Sequence, residues 1–148
     1  MIYSKACEYA IRALTYLART ADGQPAQAQE IARGEHMPLP VLGKILQELV
    51  RKGILDSRRG PGGGFRLARR AELITLRDVV AAMDGLDHFH TCAAGLEMCG
   101  DEAPCPLHDS WKVIRAQILR DLEITTVAQM AQAVLRKKER ARRASRRH

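Results

Sequence analysis

The chain has 148 residues, enough for a single domain that builds its core without disulfides. Its apolar runs are only a few residues long, far short of the roughly 20 needed to cross a bilayer, and MIYSKACEYAIR lacks the pattern of a secretory leader. The expectation is a cytoplasmic protein with reduced thiols and no membrane span, whose net charge of +7 comes entirely from residues 136–148: these hold eight of the 24 basic residues and one of the 17 acids, leaving sixteen of each sign before them.

Tyr3, Ala6, Ala10, Ala13, Leu14 and Leu17 recur at helical spacing, which predicts an amphipathic helix over residues 3–20 ending at ADGQP. A short helix over residues 28–36 follows. In MPLPVLGKILQELVRKG, Val41, Leu42, Ile45, Leu46, Leu49 and Val50 form one apolar stripe, with Pro40 in the first turn and Gly53 as the stop. The other face presents Gly43, Lys44, Gln47, Glu48, Arg51 and Lys52. Two short helices with a tight connection, the second polar on its outer face, suggest a helix-turn-helix.

ILDSRRGPGGGFRLAR reads as two short strands around a glycine-rich turn, flanked by Arg58, Arg59, Arg66 and Arg69, and a hairpin in this place is a wing. A nucleotide-binding loop fits poorly. The stretch lacks the Lys-Ser/Thr of a P-loop, its G-x-G-x-x-G spacing fails at Phe65, and no helix follows at once. A plain hairpin turn is the ordinary alternative. Arg51 to Arg70 carries seven basic residues against one acid, whereas Asp84 to Asp109 carries six acids and no base. One segment suits a polyanion and the other a cation.

TLRDVVAAMD predicts a helix over residues 75–84. Beyond the following loop, Leu107, Trp111, Ile114, Ile118 and Leu122 run at spacings of three and four along a helix beginning near Pro106. This stripe is a candidate dimerisation element or, equally, a face packed on its own domain. Thr126 and Gln129 have capping-box spacing for a last helix to about Lys138, and ERARRASRRH reads as a basic disordered tail.

The loop HFHTCAAGLEMCGDEAPCPLHD holds Cys92, Cys99, Cys105 and His108, spaced C-x(6)-C-x(5)-C-x(2)-H. Thiolate and imidazole suit zinc, and thiolates suit iron–sulfur clusters. No C-x(2–4)-C knuckle of a structural zinc site occurs, and wide glycine-containing gaps favour a cluster. Zinc, and a metal-free arrangement of buried cysteines or a thiol switch, stay open on spacing alone. The loop is acidic and poor in large apolar residues, so a metal group would supply most of its order. Cys7 on the first helix reads as a small core residue and Glu8 beside it as a surface acid. A Cys105/His108 enzyme site lacks an orienting third group and an oxyanion site, so no enzyme is expected.

The first helix, the helix-turn-helix ending LVRKGIL, the wing RGPGGGFRL, the segment TLRDVVAAMDG and the spaced cysteines together resemble the IscR, NsrR and RirA type of winged-helix regulator, over about residues 1–135. The resemblance implies a mainly α fold: a winged helix-turn-helix DNA-binding region at 1–85 with a small β-hairpin wing, a cluster-binding loop at 86–109, a long dimerisation helix and terminal helix within 106–135, and the tail at 136–148. It implies a homodimer on a pseudo-palindromic operator in double-stranded DNA, acting as a repressor that senses iron, redox or nitric oxide status. Arg59 would enter the minor groove, with Arg58, Gly60, Pro61 and Gly62 around it. Val41, Gly43 and Lys44 would lie near base edges, and Arg51 and Lys52 add positive charge on the same candidate face. Pro38, Pro40 and Gly43 offer no side-chain hydrogen bonds, which leaves Lys44 as the main candidate for direct readout. Cys92, Cys99 and Cys105 match the family's cluster thiolates. The fourth ligand is His108, with a 2Fe–2S cluster, or Glu8 from the partner's first helix, with a 4Fe–4S cluster, or else a small-molecule or other ligand; His108 and the 2Fe–2S form are favoured. An electron-transfer or cluster-carrier protein is the alternative, as is a zinc- or thiol-based DNA-binding regulator.

Overall fold

The computed structural model describes residues 2–20, 23–97 and 100–146. Helix α1 spans Lys5–Arg19, α2 Ala28–Glu35 and α3 Leu39–Arg51. Strands β1 (Leu55–Arg58) and β2 (Gly64–Leu67) pair antiparallel, with Leu55 opposite Leu67 and Arg58 opposite Gly64. Helix α4 spans Leu76–Met83, α5 His108–Ile124 and α6 Val127–Ser145. Short 3-10 turns at Ala71–Leu73 and Asp87–His90 flank α4.

Helix α1 is the centre of the core because its small and branched residues alternate around it. Cys7, Ala10, Ala13, Leu14 and Leu17 are buried and meet Ile31 of α2, Leu42, Leu46 and Leu49 of α3, Val79 and Val80 of α4, and Val127 of α6. Its N-terminus is capped by Ser4, whose Oγ accepts from the Cys7 amide while the Ser4 amide donates to Asp84 at 2.7 Å. At its other end Arg19, nearly buried, pairs with Glu35, and Arg12 donates to the Glu35 carbonyl. These contacts fix α2 against α1. The turn to α3 passes through His36 in the left-handed region, φ 52°, and Met37 is buried behind it.

Thr75 and Thr126 cap α4 and α6 with reciprocal capping boxes, and a bridge joins these two caps. The Leu76 amide donates to the Thr125 carbonyl and the Val127 amide to the Ile74 carbonyl, both at 2.9 Å. That pairing lays α6 against α1. The basic run from Arg136, read from composition as a disordered tail, instead continues α6 to Ser145. Two alanines, Ala141 and Ala144, and the absence of Gly or Pro in this run favour helix, and composition alone weighs charge above propensity. No helix of the described residues is long and apolar enough to cross a membrane.

Candidate functional site

Helix α3 buries Leu42, Ile45, Leu46 and Leu49, which leaves Val41, Lys44, Gln47, Arg51 and Lys52 exposed on the outer face and Gly43 half-buried. Val50, expected in the apolar stripe, is only partly buried, and Val41 is 44% exposed. At 100° per residue the inward face of α3 centres on Leu42, Ile45, Leu46 and Leu49, and Val41 falls on its outer edge. Arg51 pairs with Glu48 one turn back. Among the described residues, no ion pair engages Lys44, Lys52, Arg58 or Arg59.

Directly after α3, the hairpin carries Arg58 and Arg59 exposed at its end, with Pro61 in the turn and Gly60 and Gly62 at φ +89° and +74°. A Cβ on either of these two glycines would meet open space, but one on Gly63 would lie 2.2 Å from the Arg58 carbonyl oxygen. The hairpin is also anchored in a way that periodicity did not disclose. Ala26 exchanges two backbone hydrogen bonds with Phe65, at 2.9 and 2.8 Å, and the Gln27 side chain donates to the Gly63 carbonyl at 2.8 Å. The residue pair before α2 therefore acts as a third edge of the wing. Arg66 and Arg69 are drawn toward Asp56 and Asp78, at 3.8 and 3.6 Å.

The cysteine loop closes on the start of α5. Cys92 Sγ and Cys105 Sγ are 3.8 Å apart. Hydrogen bonds from the backbone of Ala94 and Leu96 hold the Cys92 thiol below its ordinary range, helped by Cys105 and Gly95 and opposed by desolvation. His108 is buried in the first turn of α5, and its amide donates to the Cys105 carbonyl at 2.9 Å. Its Nε2 lies 3.0 Å from Asp101 Oδ1. Asp101, exposed, also accepts from Lys112 Nζ at 2.9 and 3.1 Å, and Lys112 first, then His108, pulls its carboxyl below the usual range. Cys99 lies outside the described residues. Glu8 is on the surface of α1, paired with Lys5 at 3.0 Å and Arg12 at 3.7 Å. Cys7 is fully buried, and burial, then the nearby Asp84 charge, pushes its thiol up to about 12.

Two features of this loop escaped the sequence. Asp101 stood among six acids with nothing to single it out. The loop is also held from α5: Trp111 Nε1 donates to the Thr91 carbonyl at 2.9 Å, and Arg115 to the Phe89 carbonyl at 3.2 Å. Along α5, Leu122 is buried and Ile118 packs on the chain's own core, whereas Leu107, Val113 and Ile114 are exposed, the last two at 71% and 52%. The expected stripe thus divides into an inward and an outward half.

A helix pair with an exposed basic outer face, followed at once by an arginine-bearing hairpin, defines a winged helix-turn-helix DNA-binding protein. Residues 3–133 match the model of the Rrf2 family, described as an iron-dependent transcriptional regulator, and the chain belongs to that family. A protein of Aquifex aeolicus named as an HTH-type transcriptional regulator is 33% identical over 129 residues, covering 86% of this chain and 89% of the relative. Protein aau3 of Rhizobium meliloti is 40% identical over 112 residues, covering 74% and 68%. Among solved structures, CymR, the global cysteine regulator of B. subtilis, superposes with a TM-score of 0.75 at 23% identity, covering 90% of this chain and 98% of that one. IscR of T. potens gives 0.73 at 22%, covering 90% and 88%. At these identities the two structures speak for the fold. The chain is a DNA-binding transcriptional regulator and not an enzyme.

Proposed function

We propose that this regulator binds an iron–sulfur cluster through Cys92, Cys99 and Cys105 with His108 as the fourth ligand, and represses transcription as a homodimer on a pseudo-palindromic operator. The observation that carries the proposal is the thiol pair. Thiolate–metal bonds of about 2.3 Å set a tetrahedral edge of about 3.8 Å, and that is the separation of the Cys92 and Cys105 sulfurs. The donor set therefore fits the group: two sulfurs spaced for one metal atom, and a buried imidazole in the first turn of α5. Two protein thiolates on one iron also favour the 2Fe–2S form, because in a 4Fe–4S cluster each iron carries a single protein ligand. When bound, the cluster would supply a redox- and iron-responsive centre. Asp101 orients the imidazole through Nε2, and Lys112 holds Asp101, the outer support a ligating histidine needs. Glu8 is less well placed for the role, because Lys5 and Arg12 already neutralise it. On the DNA side, Lys44 and the α3 residues around it would face the major groove, with Arg51 and Lys52 on phosphates. Arg59 would enter the minor groove from the turn at Arg58 to Gly62.

Protein purified without oxygen should absorb at about 400–450 nm and contain iron and sulfide in equal amounts. His108→Ala should lose or destabilise this chromophore while Glu8→Ala retains it. Loss only in the Glu8 variant, with a four-iron native mass in the parent, would overturn the ligand assignment. A colourless protein that binds zinc instead would overturn the cluster.

A further inference from the structure

We propose that Cys92 and Cys105 are a site of reversible oxidation: in the metal-free protein a hydroperoxide converts them to an intrachain disulfide, with Cys99 left out. The inference rests on the thiol pair and not on what the loop holds when loaded, so metal-free protein tests it independently of the cluster.

The two sulfurs are already 3.8 Å apart, and a disulfide needs about 2.05 Å. A shift of less than 2 Å therefore suffices. Residues 93–97 and 100–104 between them are exposed and carry no helix or strand, so the connecting loop can follow a shift of that size. Cys7, in contrast, sits at 0% exposure under the packed face of α1 and is out of play. Cys92 is buried and Cys105 half-buried at the foot of α5, and the separation of their sulfurs serves an attack from either side.

The chemistry balances in two steps. One of the two thiolates attacks the terminal oxygen of the hydroperoxide; an S–O bond forms, the O–O bond breaks, and the leaving alkoxide or hydroxide takes up a proton. The other sulfur then attacks the sulfenic acid; the S–S bond forms, the S–O bond breaks, and water leaves with the second thiol's proton. Two thiols lose two electrons and the peroxide gains them. The product has neither thiolate available for a metal, so oxidation and metal loading exclude one another until a thiol reductant reopens the bond.

The sequence makes the test simple. Cleavage after glutamate cuts at Glu72, Glu97, Glu102 and Glu123, placing Cys92 in residues 73–97, Cys99 in 98–102 and Cys105 in 103–123. Full-length protein freed of metal by a chelator without oxygen is treated with equimolar hydrogen peroxide, blocked with iodoacetamide and mapped without reductant. The expected result is a linked pair of peptides 73–97 and 103–123 at about 2 Da below their sum, with the 98–102 peptide alkylated. Dithiothreitol should separate them, and Cys99→Ser should give the same link. The proposal is overturned by a link through Cys99, by Cys92 sulfinic acid without any link, or by three alkylated peptides.

Discussion

Replacing Gly64 by Ala tests whether the wing is held by its contact with the segment ahead of α2. Gly64 has φ +132°, and a Cβ there would lie 2.5 Å from the Ala26 carbonyl oxygen and 2.7 Å from its carbon. The same oxygen accepts from the Phe65 amide at 2.8 Å, and the Ala26 amide donates to the Phe65 carbonyl at 2.9 Å. Alanine therefore fits only if β2 parts from residue 26. Two backbone hydrogen bonds at about 1 kcal/mol each are lost, and the unfavourable backbone region adds about 1–2 kcal/mol. The total is about 3–4 kcal/mol. Gly62 is the control, because its φ of +74° carries the conformational term but a Cβ there meets open space. Gly62→Ala should cost about 1–2 kcal/mol. Urea denaturation at equal slope measures the difference, and the Gly64 variant should unfold at the lower midpoint. Its specific DNA affinity should fall as well, since Arg58 and Arg59 ride on the hairpin. Equal midpoints for the two variants would refute the reasoning, because they would show that the Ala26 contact holds nothing.

Three further outcomes follow from named residues. Arg59→Ala should weaken binding to a pseudo-palindromic operator by about 1–3 kcal/mol in a shift assay, and an unchanged affinity removes Arg59 from the readout. Ile114→Glu should release monomers in sedimentation while leaving the fold intact; Ile118 is the poorer site for this test, because it packs on its own core. A dimer that persists in the Ile114 variant moves the interface off α5. For Cys7 the raised thiol, at about 12 against an ordinary 9.0, favours the protonated form in the folded state. Its contribution to stability is complete below about pH 9 and is lost as pH rises toward 12. Cys7→Ala should therefore flatten the alkaline fall of the urea midpoint, and an identical fall in the parent and the variant would show that Cys7 does not titrate on unfolding.

The helices and the wing were legible because each has a local signature. Leu42, Ile45, Leu46 and Leu49 repeat at helical spacing, Thr75 and Thr126 start capping boxes, and RGPGGG permits the positive φ values that the turn requires. Contacts between distant segments leave no such mark. The anchoring of β2 by Ala26, the Asp101 support of His108 and the division of the α5 stripe all depend on which surfaces meet after folding. Periodicity reports which residues lie on one face, but not what covers that face. The tail from Arg136 failed in the opposite direction, since a charge run is compatible with both coil and helix, and a helix already begun at Val127 propagates cheaply through residues with good propensity.

The loop is fastened to α5 on both sides, and this decides where a change at the thiols is felt. Before Cys92, the Thr91 and Phe89 carbonyls are held by Trp111 and Arg115, and Phe89 is buried in the core. After Cys105, the His108 amide closes the first turn of α5 onto the Cys105 carbonyl. A rearrangement between the two cysteines therefore pulls on α5 rather than dissipating in a loose loop. Helix α5 in turn anchors through Leu122 and passes at Thr125 to the start of α4, which packs against α3. This contiguous set of contacts runs from the loop to the recognition helix, and only a coupling measurement can show that it carries free energy. Trp111→Phe keeps an aromatic side chain, though a smaller one, and removes the indole N–H and its one hydrogen bond, worth about 1 kcal/mol. In that variant the loop should still take up the proposed metal group, while the ratio of DNA affinities between loaded and metal-free protein should shrink by about fivefold, the equivalent of that bond. An unchanged ratio would mean that the signal reaches DNA by another route, such as a change in dimer geometry at the outward face of α5.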